Sequence, residues 1–151
     1  PPLPAIERRP RWPGTVVAVY GRDAAPFAER LAARARELGS DARTVRVELR
    51  HREGASVTGE RDLAVTAAPD ALLPALSSIE AHPALTVGVG LAFAAAVECE
   101  LAVWIRAGES PLSLPDAERA LVREARLVLE DPREGVAERL AERLVESAPR
   151  A

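Results

Sequence analysis

Gly88-Val89-Gly90 follows His82-Pro83-Ala84-Leu85-Thr86-Val87 and immediately precedes the apolar run LAFAAAV at residues 91–97. Read as a loop that opens a helix, the two glycines leave free backbone N–H groups where a phosphate or sugar oxygen is held. The same glycines also read as spacers that let a buried helix approach its neighbour. The acids placed near such a loop are Asp23 and Glu80, while Asp70 reads as a strand-start or turn residue; of the two histidines, His82 lies just before Pro83 and His51, among Arg50, Arg52 and Glu53, reads as surface. Two isolated histidines with no cysteine or carboxylate at ligand spacing do not make a metal site. Ser77, Ser78 and Ser113 stand without a paired base, so no hydrolase triad is expected. All 20 basic residues are arginine, which excludes Schiff-base chemistry and a phosphate-loop lysine.

At 151 residues the chain fits one domain with a core of its own, preceded by a proline- and arginine-rich arm at residues 1–13 (PPLPAIERRPRWP). That arm is expected to be extended and poorly ordered. Aromatics make up only 3% of the residues, so the core must be built of Ala, Leu and Val. A formal charge of −3 argues against a nucleic-acid or anionic-membrane partner. The single cysteine, Cys99, cannot form an internal disulfide; it reads as a small hydrophobe at a helix end or as a nucleophile. With no membrane-length apolar run and no signal-peptide pattern, the chain is expected to be cytoplasmic, with no cofactor implied.

The elements that would position these residues alternate. Residues 15–20 (TVVAVY) form an apolar run of strand length, and residues 26–38 follow helical spacing up to Gly39. Residues 43–49 (RTVRVEL) alternate like a strand with one wet face, which puts them at a sheet edge. Residues 51–60 read as a loop, 62–68 as a short helix, and 71–76 as a strand despite Pro74. A loop then leads to the apolar helix and to a strand at 101–105. A helix at 114–124, a strand at 126–129 and a helix at 132–147 complete the chain. The pattern predicts an α/β fold, a five-stranded parallel sheet in flavodoxin-like order 2-1-3-4-5 with helices on both faces. Ligands in such folds lie at the carboxyl ends of the strands, near the switch point. That groups Gly21, the residues after Leu76 and Gly88 around one crevice.

These residues resemble the nucleoside 2-deoxyribosyltransferase-like superfamily, in its branch of 2'-deoxynucleoside 5'-phosphate N-hydrolases and related nucleotide N-glycosidases. Val19-Tyr20-Gly21 followed by Phe27-Ala28-Glu29-Arg30-Leu31 is similar to the family's first strand and helix. Asp62 and Asp70 match its pair of aspartates eight residues apart. Pro83-Ala84-Leu85-Thr86-Val87-Gly88-Val89-Gly90-Leu91-Ala92 lies over its signature Pro-Ser-Leu-Gly-Val-Gly-Tyr-Glu-Leu-Gly. The resemblance implies that Asp62 is the active-site aspartate and that Arg22, in Gly21-Arg22-Asp23, stands in for a loop arginine. Ser113 falls near a serine that reaches the neighbouring subunit's phosphate. The signature's phosphate-binding serine is Ala84 here, and its catalytic glutamate is Gly90.

Breaking an N-glycosidic bond needs one carboxylate at the oxocarbenium-like centre and usually a second acid for the leaving base. Asp62 could be one, with Asp23 or Glu80 as a relocated second. Glu98 and Glu100 lie at the far end of the helix, about a dozen ångströms from Gly90 at 1.5 Å per residue. His82 is placed at the crevice edge, as a phosphate or base contact. The leading expectation is therefore a catalytically degenerate relative of the nucleoside 5'-monophosphate N-glycosidases. It would act as a supporting subunit, pairing with itself or an intact homologue through the apolar helix at 91–97. The alternatives are an active N-glycosidase using Asp62, and a regulatory module that binds a nucleoside monophosphate.

Overall fold

The computed structural model describes residues 3–4, 6, 8–51, 53–80, 83–132 and 135–147. Thr15–Gly21 (β1) leads to the helix Ala24–Glu37 (α1), and Ala42–Leu49 (β2) follows. The hairpin Ala55–Thr58 (β3) and Leu63–Ala67 (β4) precedes the helix Leu72–Ser77 (α2). Leu85–Val89 (β5), Leu91–Ala96 (α3), Leu101–Ile105 (β6), Asp116–Arg123 (α4), Leu127–Leu129 (β7) and Val136–Ser147 (α5) complete the domain.

The expected α/β class holds, with helices on both faces of the sheet. The five-stranded parallel sheet in order 2-1-3-4-5 does not: the sheet has seven strands in the order β3-β4-β2-β5-β1-β6-β7. It is mixed, because β3 runs antiparallel to β4 while every other pair is parallel. The strand at 43–49, expected at an edge, lies between β4 and β5. Its wet alternation has another cause. Arg46 and Glu48 lie on the face that carries α1 but at its margin, where Arg46 pairs with Glu29 of α1 at 3.1 Å, so an interior strand keeps two exposed side chains.

Four further segments depart from their expected identities. Residues 62–68 form a strand: Leu63, Val65 and Ala67 are buried while Ala64 is exposed, the period-two signature of a strand covered on one side. The alanines that suggest a helix are overridden by pairing on both flanks. Residues 71–76 instead form the helix, where Pro74 sits in the first turn and its missing N–H is not required. Leu72, Ala75 and Leu76, at helical spacing, are its buried residues. The stretch before Gly90, expected to be a loop, is β5, buried at every residue and paired with both β1 and β2. The expected loop at 51–60 contains β3.

Two apolar layers flank the sheet. On one side α1 and α5 pack over Val17, Val19, Val87 and Ile105. On the other, α2, α3 and α4 cover Val16, Ala18, Val45 and Val65. The end of the 1–13 segment also lies in this second layer rather than running free. Trp12 is 6% exposed, and its ring meets Phe93 of α3 edge-on at 5.6 Å. The Pro10 carbonyl accepts from Glu98 N–H at 3.0 Å, and the Arg9 guanidinium donates to the Ala94 carbonyl at 3.0 Å. Leu3 and Ile6 pack on the same layer. The apolar helix at 91–97 thus meets the sheet on one side and its own N-terminal segment on another.

Candidate functional site

β1 ends in three residues that turn the chain sharply. Gly21 has φ 104°, and a Cβ there would overlap the Ile105 carbonyl, so only glycine lets β1 and β6 run this close. Arg22 N–H donates to that carbonyl at 3.2 Å, and Asp23 adopts a left-handed conformation (φ 55°) just before α1. Across β1, Gly90 has φ 105° and its N–H donates to the Val19 carbonyl at 2.9 Å. From this edge α1 leaves to one face of the sheet and α3 to the other. This divergence is the condition under which a crevice opens beyond the strand ends.

On the β6 side of that point lies a cleft of about 410 Å³ lined by Arg22, Asp23, Ile105, Ala107, Glu130, Asp131 and Pro132. Glu130 is engaged: it accepts from Gly108 N–H at 3.1 Å and pairs with Arg106 at 3.4 Å. Ala107 is left-handed (φ 50°); with Asp23 it makes the two non-glycine residues of positive φ among the described residues, and both line this cleft. Such conformations cost about 1–3 kcal/mol each and persist where the surrounding structure enforces them. The side chains of Arg22, Asp23 and Asp131 make no hydrogen bond or ion pair among the described residues. One cation and two carboxylates therefore face the cleft with their bonding capacity unused.

The structure brings Gly21, Arg22, Asp23 and Gly90 to this one edge, and Ser113 lies in the β6–α4 connection that leaves from it. Ser113 is exposed, and its hydroxyl donates to the Ser110 carbonyl at 2.7 Å. Gly88 is not a phosphate loop. It is buried within β5, where a Cβ would overlap the Phe93 ring, so its role is the close approach of α3 to the sheet. Ala84 precedes β5 and lies at the opposite, amino edge. His82 lies outside the described residues.

Asp62 is also elsewhere. Val45 is level with both Leu63 and Gly88, so Asp62 sits two strands across and three residues back from Gly90, roughly 14 Å at ordinary strand spacings. Its carboxylate is committed to structure. Thr44 N–H donates at 3.0 Å, the Thr44 hydroxyl at 3.1 Å, and Arg36 of α1 pairs with the same oxygen. Desolvation pushes this carboxyl up, but the bond from Thr44 N–H and the Arg36 guanidinium together outweigh it and hold Asp62 below the ordinary carboxylate range. The group ties the start of β4 to β2 and to the end of α1.

Glu80, the other candidate for a relocated acid, follows α2 at the amino edge, where its carbonyl accepts from Arg43. Glu100 accepts from Val16 N–H at 2.6 Å at the start of β1. The Cys99 thiol donates to the Val97 carbonyl at 3.3 Å, and burial pushes it up to about 12, the state of a packed thiol and not of a nucleophile. Among the described residues no group of three or more His, Cys, Asp and Glu is arranged to hold a metal, and no helix is long and apolar enough to cross a membrane. The sequence reading missed Glu130 and Asp131. Their signal was available, since they follow the last strand directly, but only the strand order puts that strand's end one strand from β1, across β6, where both reach the same cleft. Comparison with protein families, with curated proteins and with solved structures finds no match for this chain.

Proposed function

We propose that this chain is a non-catalytic binding domain for a small phosphorylated polyol, of which a nucleoside 5'-monophosphate is the leading example, held at the carboxyl edge beside β1. The observation that carries the reading is the uncommitted set Arg22, Asp23 and Asp131 on one cleft, on the β6 side of the point where α1 and α3 diverge. A guanidinium pairs with phosphate in a bidentate manner, and carboxylates accept hydrogen bonds from sugar hydroxyls. The family resemblance supports the same reading from another direction, because glycine stands at position 90 where the glycosidases carry their glutamate. Its other implication, Asp62 as a surviving catalytic acid, finds no support in a carboxylate roughly 14 Å away and bound to Arg36 and Thr44. The supporting-subunit version of this reading rested on an uncovered helix, and Trp12 with its neighbours covers that helix from within the chain.

Thermal unfolding with nucleoside 5'-monophosphates tests the proposal. Ligand at a hundredfold excess over Kd adds about 2.7 kcal/mol, a rise of roughly 5–10 °C for a domain of this size. The rise is expected to vanish in Arg22→Ala and to shrink in Asp131→Asn. No rise at millimolar ligand, or a rise unchanged in Arg22→Ala, refutes it. Gly90→Glu is expected to release no free base; release would reinstate the glycosidase reading.

A further inference from the structure

Tyr20 acts as a strut between the sheet and α4. Its side chain is fully buried in the second apolar layer, and its hydroxyl donates to the Leu121 carbonyl at 2.8 Å. Beside that strut the chain is short of side-chain volume. α3 offers Ala94, β6 offers Ala102, and the segment between them offers Cys99, whose thiol is committed to the Val97 carbonyl. None of these reaches across the space that the tyrosine holds open. A cavity of about 280 Å³ is left between α3, β6 and α4, with Arg9, Glu100, Glu124 and Arg126 around its rim. At ~30 Å³ for a water in the liquid, it has room for about nine atoms of that size. Protein interiors pack to the density of organic crystals, and hollows of this size are few.

The charges on the rim do not cancel. Arg9 pairs with Glu124 at 3.1 Å. Glu100 accepts from Val16 N–H at 2.6 Å and pairs with Arg11 at 3.5 Å. Arg126 is left over. Its backbone N–H donates to the Ala102 carbonyl at 3.1 Å, which pins the residue against β6, while its guanidinium makes no hydrogen bond or ion pair among the described residues. Burial, and Glu124 nearby, push the Tyr20 phenol far above its ordinary value. The phenol therefore keeps its proton on Leu121 and brings no charge of its own. One unmatched positive charge stands over a floor of alanines and Leu121.

We propose that this cavity is a binding site for a small apolar monocarboxylate of about the size of benzoate, its carboxylate on Arg126 and its body over Ala94, Ala102 and Leu121. An apolar hollow with a few convergent polar groups is the usual form of a small-molecule site. The planar guanidinium takes both oxygens of one carboxylate, and a single carboxylate balances the single charge left over on the rim. The remaining rim groups are already paired with one another or with Arg11, so they direct the ligand without having to be neutralised by it. No residue of this cavity lines the cleft at Arg22. The site therefore stands whether or not that cleft binds nucleotide.

Backbone-amide NMR shifts of the full chain, titrated with benzoate, test it. Saturable shifts are expected at Ala94, Ala102 and Arg126, with a Kd below about 1 mM. Benzamide has the same shape without the charge and is expected to bind at least about tenfold more weakly. Arg126→Gln removes a guanidinium that the free chain does not use, so the fold is retained while benzoate loses about the same factor. Ala102→Val adds a residue that a strand accepts readily and narrows the floor, and is expected to abolish the shifts. Arg22→Ala is expected to leave the titration unchanged. No saturation at about ten times that concentration, shifts confined to Arg22, Ala107 and Asp131, or binding undiminished in folded Arg126→Gln overturns the inference.

Discussion

Replacing Trp12 by alanine separates a loose N-terminal arm from a structural one. The indole is 6% exposed, packs edge-on against Phe93, and lies in the layer that holds Val16, Val45 and Val65. Truncating a core aromatic costs about 3–5 kcal/mol, the lower end applying where the site can collapse. Trp12 belongs to a segment held at Pro10 by Glu98 N–H, at Arg9 by the Ala94 carbonyl and Glu124, and at Arg11 by Glu100, so it is not free to collapse and about 3–5 kcal/mol is the expected loss. About 0.5–1.5 kcal/mol of that belongs to the ring pair itself and disappears equally in Phe93→Leu. Urea unfolding monitored by far-ultraviolet circular dichroism measures it, with the slope held constant so that a fall in midpoint reports stability. The effects of Trp12→Ala and Phe93→Leu should be less than additive, since the two residues share one contact. A loss below about 1 kcal/mol in Trp12→Ala refutes the argument. The segment would then be an arm that merely rests on the surface, and the apolar helix α3 would again need an external cover.

Two other outcomes follow from the same packing and charge arguments. Gly88→Ala is expected to destabilise by about 1–3 kcal/mol, because the new methyl occupies the space of the Phe93 ring in the middle of the sheet; Gly39→Ala, on an open turn with no neighbour near the added carbon, feels only the strain of φ 88°. Asp62 titrates below its ordinary value in the folded chain, so the stability it contributes is full above the reference value of 3.8 and is lost as the pH falls toward the depressed folded value. Asp62→Asn should therefore flatten the acid limb of a stability–pH curve measured in urea and leave the proposed ligand binding at Arg22 unchanged. An unaltered acid limb would mean that the Arg36 and Thr44 contacts contribute nothing.

Several elements are decided by their own residues. TVVAVY is too short and too continuously apolar to be anything but a buried strand once Gly21 ends it, and α1 announces itself through Phe27, Leu31 and Ala35 at helical spacing with Gly39 as its stop. The strand at 101–105 and the helices about Leu121 and Leu140 are legible for the same reason: a face repeated over several turns, or an unbroken run, is a property of neighbours in sequence. The scarcity of aromatics and the absence of lysine likewise bound the chemistry without any coordinates.

The strand order and the membership of the site are decided elsewhere. LAVTA and LLPALS are both short and apolar, and local preference cannot say which is strand and which is helix; β4 becomes a strand because β2 and β3 bond it from both sides. β5 enters between β1 and β2 by pairing with residues some seventy and forty positions earlier, a choice invisible to any local pattern. That insertion carries Asp62 away from Gly90 and assigns its carboxylate to Thr44 and Arg36. It likewise leaves β6 and β7 on the other side of β1, so that Asp131 faces Arg22. Residue type and periodicity determine which segments are regular and which side of each is apolar. Which side chains share a cleft depends on hydrogen-bond pairing between strands far apart in the chain, and that pairing exists only in the folded sheet.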